Sequence, residues 1–360
     1  MINNYTSKSL IGFTIPQVKN ILKKFSQPDF RAEQLYKWIH NRNCSDFDEM
    51  TNLPKDLRQS LKREFTLKTI SLRIREKSND GTEKFLWELS DKRQIETVLI
   101  PDRKRITLCI SSQVGCTLGC QFCATAQMGF IRNLTTGEIV EQVLSAKKLS
   151  ENKITNIVFM GMGEPFLNYQ RVIKASHILR DPLGLAISSK KITISTSGII
   201  PPIYQFSKEQ QPFALAISLH APSQRLRSKL MPLANRFPLD ALMESVNFYL
   251  SSKSNRRITF EYVLLEDIND GVEHAQQLLK LLSPLRCKLN IIPCNENDLG
   301  FRSPSNDKIE EFMSILAAGP FTLTLRRNRG QDISAACGQL YAKTLQKDNP
   351  RFLYTNLIAT

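Results

Sequence analysis

From Ile106 onward, short apolar runs alternate with amphipathic stretches, and this alternation restricts the fold more than any other feature. Residues 106–110, 156–160, 191–196, 214–219, 259–265 and 288–293 read as strands, with a last one at 321–325. Helices fit between them at 169–180, 202–206, 239–251, 272–282 and 307–316. A helix start signal stands at Thr135-Thr136-Gly137-Glu138, followed by Ile139, Val143 and Leu144 at helical spacing. Strands apolar on both faces, separated by helices, imply a parallel sheet covered by helices. Six or so units are too few for a closed eight-stranded barrel. The expected α/β fold is a partial, TIM-like (β/α)6 barrel, open on one side, with its site at the C-terminal ends of the strands.

Ahead of the alternation the period differs. Residues 1–66 read as helical: Pro16 opens a helix through 17–25, Asp29 is placed to cap a second carrying Leu35, Trp38 and Ile39 on one face, and Leu53-Pro54 begins a third over 55–65. Residues 67–101 turn to period two, with Asn79-Asp80-Gly81 and Ser90-Asp91-Lys92 as hairpin turns. This small antiparallel extension leads directly into the first strand of the alternation.

Hydrophobic residues make up 41% and charged residues 23% of the 360, an ordinary globular balance that leaves room for one large domain and an appendage. No apolar run reaches the ~18 residues a membrane helix needs, and Met1-Ile2-Asn3-Asn4-Tyr5 lacks the layout of a signal peptide. Eight cysteines, three of them clustered, do not form a secreted disulfide pattern, so a cytoplasmic setting is expected. The net charge of +15 favours a polyanionic partner, since each neutralised phosphate releases counterions. Arg31, Lys37, Arg42, Lys55, Arg58, Lys62 and Arg63 decorate the N-terminal helices as a candidate RNA grip.

The loop after the first strand reads Cys116-Thr117-Leu118-Gly119-Cys120-Gln121-Phe122-Cys123, a C-x3-C-x2-C spacing. Thiolates are soft ligands for zinc or iron–sulfur clusters. Structural zinc wants four protein ligands, and no fourth Cys or His lies near the triplet. A cubane cluster on three cysteines would leave one iron open. Three buried structural thiols, or zinc completed from afar, are the competing readings.

The loop resembles the cluster motif of the radical S-adenosylmethionine (SAM) superfamily. Its surroundings, Cys109-Ile110-Ser111-Ser112-Gln113-Val114-Gly115-Cys116 through Ala124-Thr125-Ala126-Gln127-Met128-Gly129-Phe130, resemble the RlmN/Cfr family of RNA adenosine methyltransferases. The likeness runs from Arg31-Ala32-Glu33-Gln34 to Ala335-Ala336-Cys337-Gly338-Gln339-Leu340. It implies a radical SAM core over 102–331, an RNA-binding accessory domain over 1–66, the β extension over 67–101, and a C-terminal segment over 332–360 carrying a methyl-accepting cysteine. It also implies a [4Fe-4S] cluster on Cys116, Cys120 and Cys123, and SAM held by Gly163, Glu164, Ser195, Ser218, Leu219, His220 and Asn295. These lie at strand ends, where Gly161-Met162-Gly163-Glu164-Pro165 offers carbonyls and a carboxylate suited to an ammonium. Cys294 departs from the aromatic the family often carries before Asn295, and the proline usual just after it is absent.

The same resemblance makes Cys337 an S-methylcysteine, Cys109 its transient disulfide partner and Glu96 the proton acceptor. Cys44 and Cys287 match no role. Adenine C2 is electron-poor and carries no acidic proton, so a radical route is expected. One SAM methylates Cys337, a second gives a 5′-deoxyadenosyl radical that activates that methyl group, and Cys109 releases the product. The substrate base must be extruded or single-stranded. The implied substrates are adenosine 2503 of 23S rRNA and adenosine 37 of tRNAs, with a flavodoxin- or ferredoxin-type electron donor and a monomeric enzyme. Thr125-Ala126-Gln127 and Gly163-Glu164-Pro165 resemble the C2 branch more than the C8, antibiotic-resistance branch. A non-catalytic RNA-binding metal protein would need neither Cys337 nor the glycine–glutamate strand end.

Overall fold

The computed structural model describes residues 8–295, 299–326, 329–336 and 338–340. Strand β1 (Lys8–Ser9) pairs in parallel with β2 (Phe65–Thr66), and between them lie α1 (Ile15–Lys23), α2 (Phe30–His40) and α3 (Lys55–Glu64). Helix α1 starts earlier than its proline suggests, because the Thr14 amide donates to Gln17 Oε1 at 3.1 Å and Pro16 occupies the first turn. Asp29 precedes α2 but accepts no capping hydrogen bond. Its backbone is already helical, which turns the carboxylate out to Lys19 at 3.4 Å. The three helices bury Leu10, Val18, Leu22, Leu35, Tyr36, Ile39, Leu57 and Leu61 among them.

Among the described residues, ten strands form the main sheet. Strands β3 (Ile70–Lys77), β4 (Glu83–Leu89), β5 (Gln94–Asp102) and β6 (Arg105–Cys109) pair antiparallel in succession. Both expected hairpin turns are present, at Ser78–Thr82 and Leu89–Arg93. After β6 a small antiparallel pair, β7 (Gln113–Gly115) and β8 (Phe130–Asn133), brackets the cysteine loop and the short helix α4 (Ala124–Gln127). Helix α5 (Thr136–Leu149) follows, capped reciprocally by Thr135 and Glu138.

The alternation then runs β9 (Asn156–Phe159), α6 (Tyr169–Arg180), β10 (Ile192–Thr196), α7 (Ile200–Lys208) and β11 (Ala214–Ser218). Helices α8 (Gln224–Leu230) and α9 (Leu239–Ser251) precede β12 (Ile258–Leu264). Helix α10 (Val272–Leu282), β13 (Cys287–Pro293), α11 (Asn306–Leu316) and β14 (Thr322–Leu325) complete it. Every strand of the main sheet hydrogen-bonds its successor within that sheet, and β6 with β9 through β14 are mutually parallel. Residues from the C-terminal ends of β9 to β14 all line one cavity, so the sheet curls around it as an open barrel.

The N-terminal helices sit on α5 and α6. Tyr36 OH reaches the Ile178 carbonyl at 3.5 Å, and Asn43 Nδ2 donates to the Leu144 carbonyl at 2.6 Å. Helix α5 is therefore buried nearly all round, and its polar residues find partners. Arg132 forks onto Glu138, Thr69 donates to Glu141, and Gln142 exchanges hydrogen bonds with the Ser111 backbone at 2.8 and 3.0 Å. No helix among the described residues is long and apolar enough to cross a membrane.

Candidate cluster and cofactor site

The cysteine loop leaves β7 at Gly115, whose φ is +73°. A Cβ there would lie 1.8 Å from the Gly129 carbonyl oxygen, so only glycine lets β7 and β8 close beneath the loop. The Cys116 amide donates to that same oxygen at 2.9 Å. Cys120 is buried and Cys116 and Cys123 half-buried, and all three sulfur-bearing residues line the barrel-mouth cavity. Burial pushes the Cys116 thiol up to about 12 and holds Cys120 well above its usual range, with Glu164 and the neighbouring cysteines adding to both. Three thiolates gathered on one largely buried loop need a compensating cation. Three soft donors on one loop, facing a cavity, would suit an iron–sulfur cluster.

Across the cavity, Gly163 has φ +96°, and a Cβ there would meet Gln113 Cβ at 2.4 Å. That close approach presses the strand end of β9 against β7, where the Ser112 amide donates to the Met162 carbonyl at 2.9 Å. Gln113 Oε1 accepts from the Glu164 amide at 2.8 Å. The Glu164 side chain is buried and fixed by two backbone donors, Phe166 N at 3.0 Å and Ser197 N at 2.8 Å. Burial raises its carboxyl above the ordinary range while those donors pull it back. The side chains of Thr196 and Ser197 also hydrogen-bond this carboxylate, which lines the cavity as an anionic acceptor suited to an ammonium.

His220 ends β11 in the left-handed region at φ +57°. Its Nδ1 accepts from the Val263 amide at 3.0 Å, which places the ring proton on Nε2. Burial, reinforced by Arg227, drives its pKa down to about 3, so the ring is a neutral donor at physiological pH. Ser195, Ser218 and Asn295 line the same cavity with Gly163, Glu164 and His220. Leu219 does not: it is fully buried, and its carbonyl accepts from Arg227 Nε at 3.3 Å.

Sequence reasoning missed three residues here. The buried guanidinium of Arg227 ties the ends of β10 and β11 together, donating through Nη2 to the Ser197 carbonyl at 2.6 Å, and its charge reaches Cys120. Its Nη1 is buried with no hydrogen-bond partner among the described residues. Glu261, midway along β12, lines the cavity and accepts from Asn290 Nδ2 at 2.9 Å. Gln113 was visible only as a letter in a familiar string. None carries a local signal, because each acts across strands that are distant in sequence.

A second, smaller cavity adjoins the first and shares Met160, Ile292, Asn295 and Arg326 with it. Cys109, at the end of β6, lines it together with Ala335, Ala336 and Leu340. Cys337 lies outside the described residues, but its flanking residues reach both cavities: Ala336 lines the second and Gly338 the first. Glu96 lines neither. It is buried on β5, with Lys84 Nζ 3.6 Å from Oε1 and its carbonyl accepting from Ser111 Oγ at 2.6 Å.

Known proteins share this arrangement. Residues 8–67 match the model of the ribosomal RNA large subunit methyltransferase N-terminal domain, and residues 110–282 that of the radical SAM superfamily. A relative from Geobacillus thermodenitrificans, named "Probable dual-specificity RNA methyltransferase RlmN", is 44% identical over 346 residues, covering 94% of each chain. The chain belongs to the RlmN family of radical SAM RNA methyltransferases. A relative of the same name from Syntrophomonas wolfei is 43% identical and covers 94% of this chain and 98% of its own. The crystal structure of a radical SAM methyltransferase from Sphaerobacter thermophilus superposes with a TM-score of 0.88 at 41% identity, over 92% of this chain and 99% of that one. The partial (β/α)6 barrel expected from the alternation is thus the radical SAM fold that the resemblance implied.

Proposed function

We propose that this RlmN-family enzyme methylates C2 of adenosine 2503 in 23S rRNA and of adenosine 37 in tRNAs, using Cys337 as methyl carrier. One observation carries the reading. Residues on both sides of position 337 border the cavities that hold the cysteine loop and Cys109. A [4Fe-4S] cluster on Cys116, Cys120 and Cys123 would, with SAM and a flavodoxin- or ferredoxin-type donor, supply a one-electron cleavage that yields a carbon radical.

The chain's own residues do the rest. Glu164 receives the ammonium of SAM, His220 donates through Nε2, and Ser195, Ser218 and Asn295 offer polar groups to its ribose, carboxylate or base. The Cys337 thiolate displaces a methyl group from a first SAM, so its S–C bond forms as the sulfonium bond breaks. Activated by loss of one hydrogen atom, that carbon bonds to adenine C2. The adduct radical then gives up one electron, which the oxidised cluster would take back, and one proton. The S–C bond breaks as a Cys109–Cys337 disulfide forms, and the thiol proton of Cys109 completes the methyl group. Glu96 accepts the ring proton. A thiol reductant then restores both cysteines.

The N-terminal helices serve as an RNA grip. Arg42 stacks 4.1 Å over Trp38, and Arg31 lies 4.9 Å from the exposed ring of Phe30, a surface of cations and aromatics suited to phosphates and unstacked bases. Nucleoside analysis of rRNA and tRNA from a deletion strain tests the assignment. Loss of 2-methyladenosine from both is expected. Its persistence, or the loss of 8-methyladenosine instead, would refute C2 specificity.

A further inference from the structure

After β14 the chain turns back across the barrel mouth towards the β3–β4 hairpin. The Gly330 amide donates to Asp80 Oδ2 at 3.0 Å, and Ser78 Oγ to Asp332 Oδ1 at 2.6 Å. Further along, Ala124 N donates to the Gly338 carbonyl at 2.7 Å and Thr125 Oγ1 to the Leu340 carbonyl at 2.7 Å, just past the cysteine loop. The segment is thus pinned at one end to the antiparallel extension and at the other to α4.

Between those ends stands Lys84, on β4 and nearly buried. Its ammonium meets the Ile333 carbonyl of the segment at 2.5 Å, Glu76 Oε2 at 2.9 Å and Glu96 Oε1 at 3.6 Å. The ammonium donates a hydrogen bond to the Ile333 carbonyl and lies within ion-pair range of two carboxylates, so it joins three different elements. A lysine is rarely buried unless its charge is matched, and this one is matched by two carboxylates and a carbonyl.

We propose that Lys84 is a positioning residue that couples Glu96 to the C-terminal segment. It holds the carboxylate and the approach to position 337 at one relative placement, so proton acceptance and the release of the methyl carrier occur in register. The proposal rests on the assignment of Glu96 and Cys337 given above. Glu76 supplies the charge that keeps Lys84 in place when Glu96 takes up a proton.

The test uses the full-length, cluster-loaded protein as wild type, Lys84→Met and Lys84→Arg. Amide hydrogen exchange over residues 330–336, measured without RNA, should quicken about tenfold in Lys84→Met, the effect expected for losing a charge-assisted hydrogen bond, and recover in Lys84→Arg. In a single turnover with an rRNA fragment and SAM, Lys84→Met should methylate Cys337 as wild type does yet accumulate the covalent RNA–protein adduct on a denaturing gel. Unchanged exchange overturns the coupling. So does a proportional fall in Cys337 methylation and product with no adduct build-up, which marks a purely structural lysine. Wild type that methylates no RNA overturns the functional assignment instead, and the exchange comparison alone then decides the coupling.

Discussion

Gly115→Ala should loosen the cysteine loop far more than Gly129→Ala, although both put alanine at a positive φ, +73° and +65°. Left-handed backbone costs an alanine about 1–2 kcal/mol at either site. At 129 the added methyl meets nothing within 4 Å, so that is the whole cost. At 115 it would sit 1.8 Å from the Gly129 oxygen and 2.9 Å from its carbonyl carbon, which only separation of β7 from β8 relieves. Separation sacrifices the Cys116 N to Gly129 O hydrogen bond and strands both partners, about a further 1–3 kcal/mol. Mid-range values give about 3.5 against about 1.5 kcal/mol, or roughly 300-fold against 10-fold more frequent opening. The protection of the Cys116 amide against hydrogen exchange reads this directly. Losses of protection within threefold of each other would refute the close approach as what sets the loop.

Thr135→Ala should cost about 1 kcal/mol in denaturant unfolding, because it dismantles a formed capping box. Asp29→Ala should cost under about 0.5 kcal/mol, since only an exposed pair with Lys19 is lost. Burial lifts Glu141 to about 7, so the folded state binds a proton that the unfolded chain, at 4.5, releases. Stability from this group is full below 4.5 and is lost as pH rises towards 7, by up to about 3 kcal/mol. Glu141→Gln, which keeps an acceptor for Thr69, should flatten the dependence of unfolding free energy on pH across that window. A variant curve parallel to wild type would contradict the assignment.

Most of the architecture was readable because it is written in local periodicity. The parallel strands and long helices fall where apolar spacing puts them, and the capping box at Thr135 and both hairpin turns formed as their residues dictate. Helix α8 went unread because Gln224-Arg225-Leu226-Arg227-Ser228-Lys229-Leu230 is short and mostly polar, its Arg227 being buried only by its partners on two strand ends. The β7–β8 pair escaped for a related reason: it is stabilised by two glycines and a loop rather than by an apolar pattern. Within the site, the strand-end residues were legible as a group. The supports that fix them, Gln113 behind Glu164 and Asn269 behind His220, were not, since each reaches across tens of residues.

The strand order of the main sheet repeats the order of synthesis, so each new strand docks on one already made. Among the described residues, the open edge is spanned by a segment beyond β14 held by side chains of a hairpin made some 250 residues earlier. The cavity beside the cysteine loop therefore has its strand walls in place while this last side still stands open. A growing chain presents Cys116, Cys120 and Cys123 through that opening before the segment running from Gly330 to Ala336 is made.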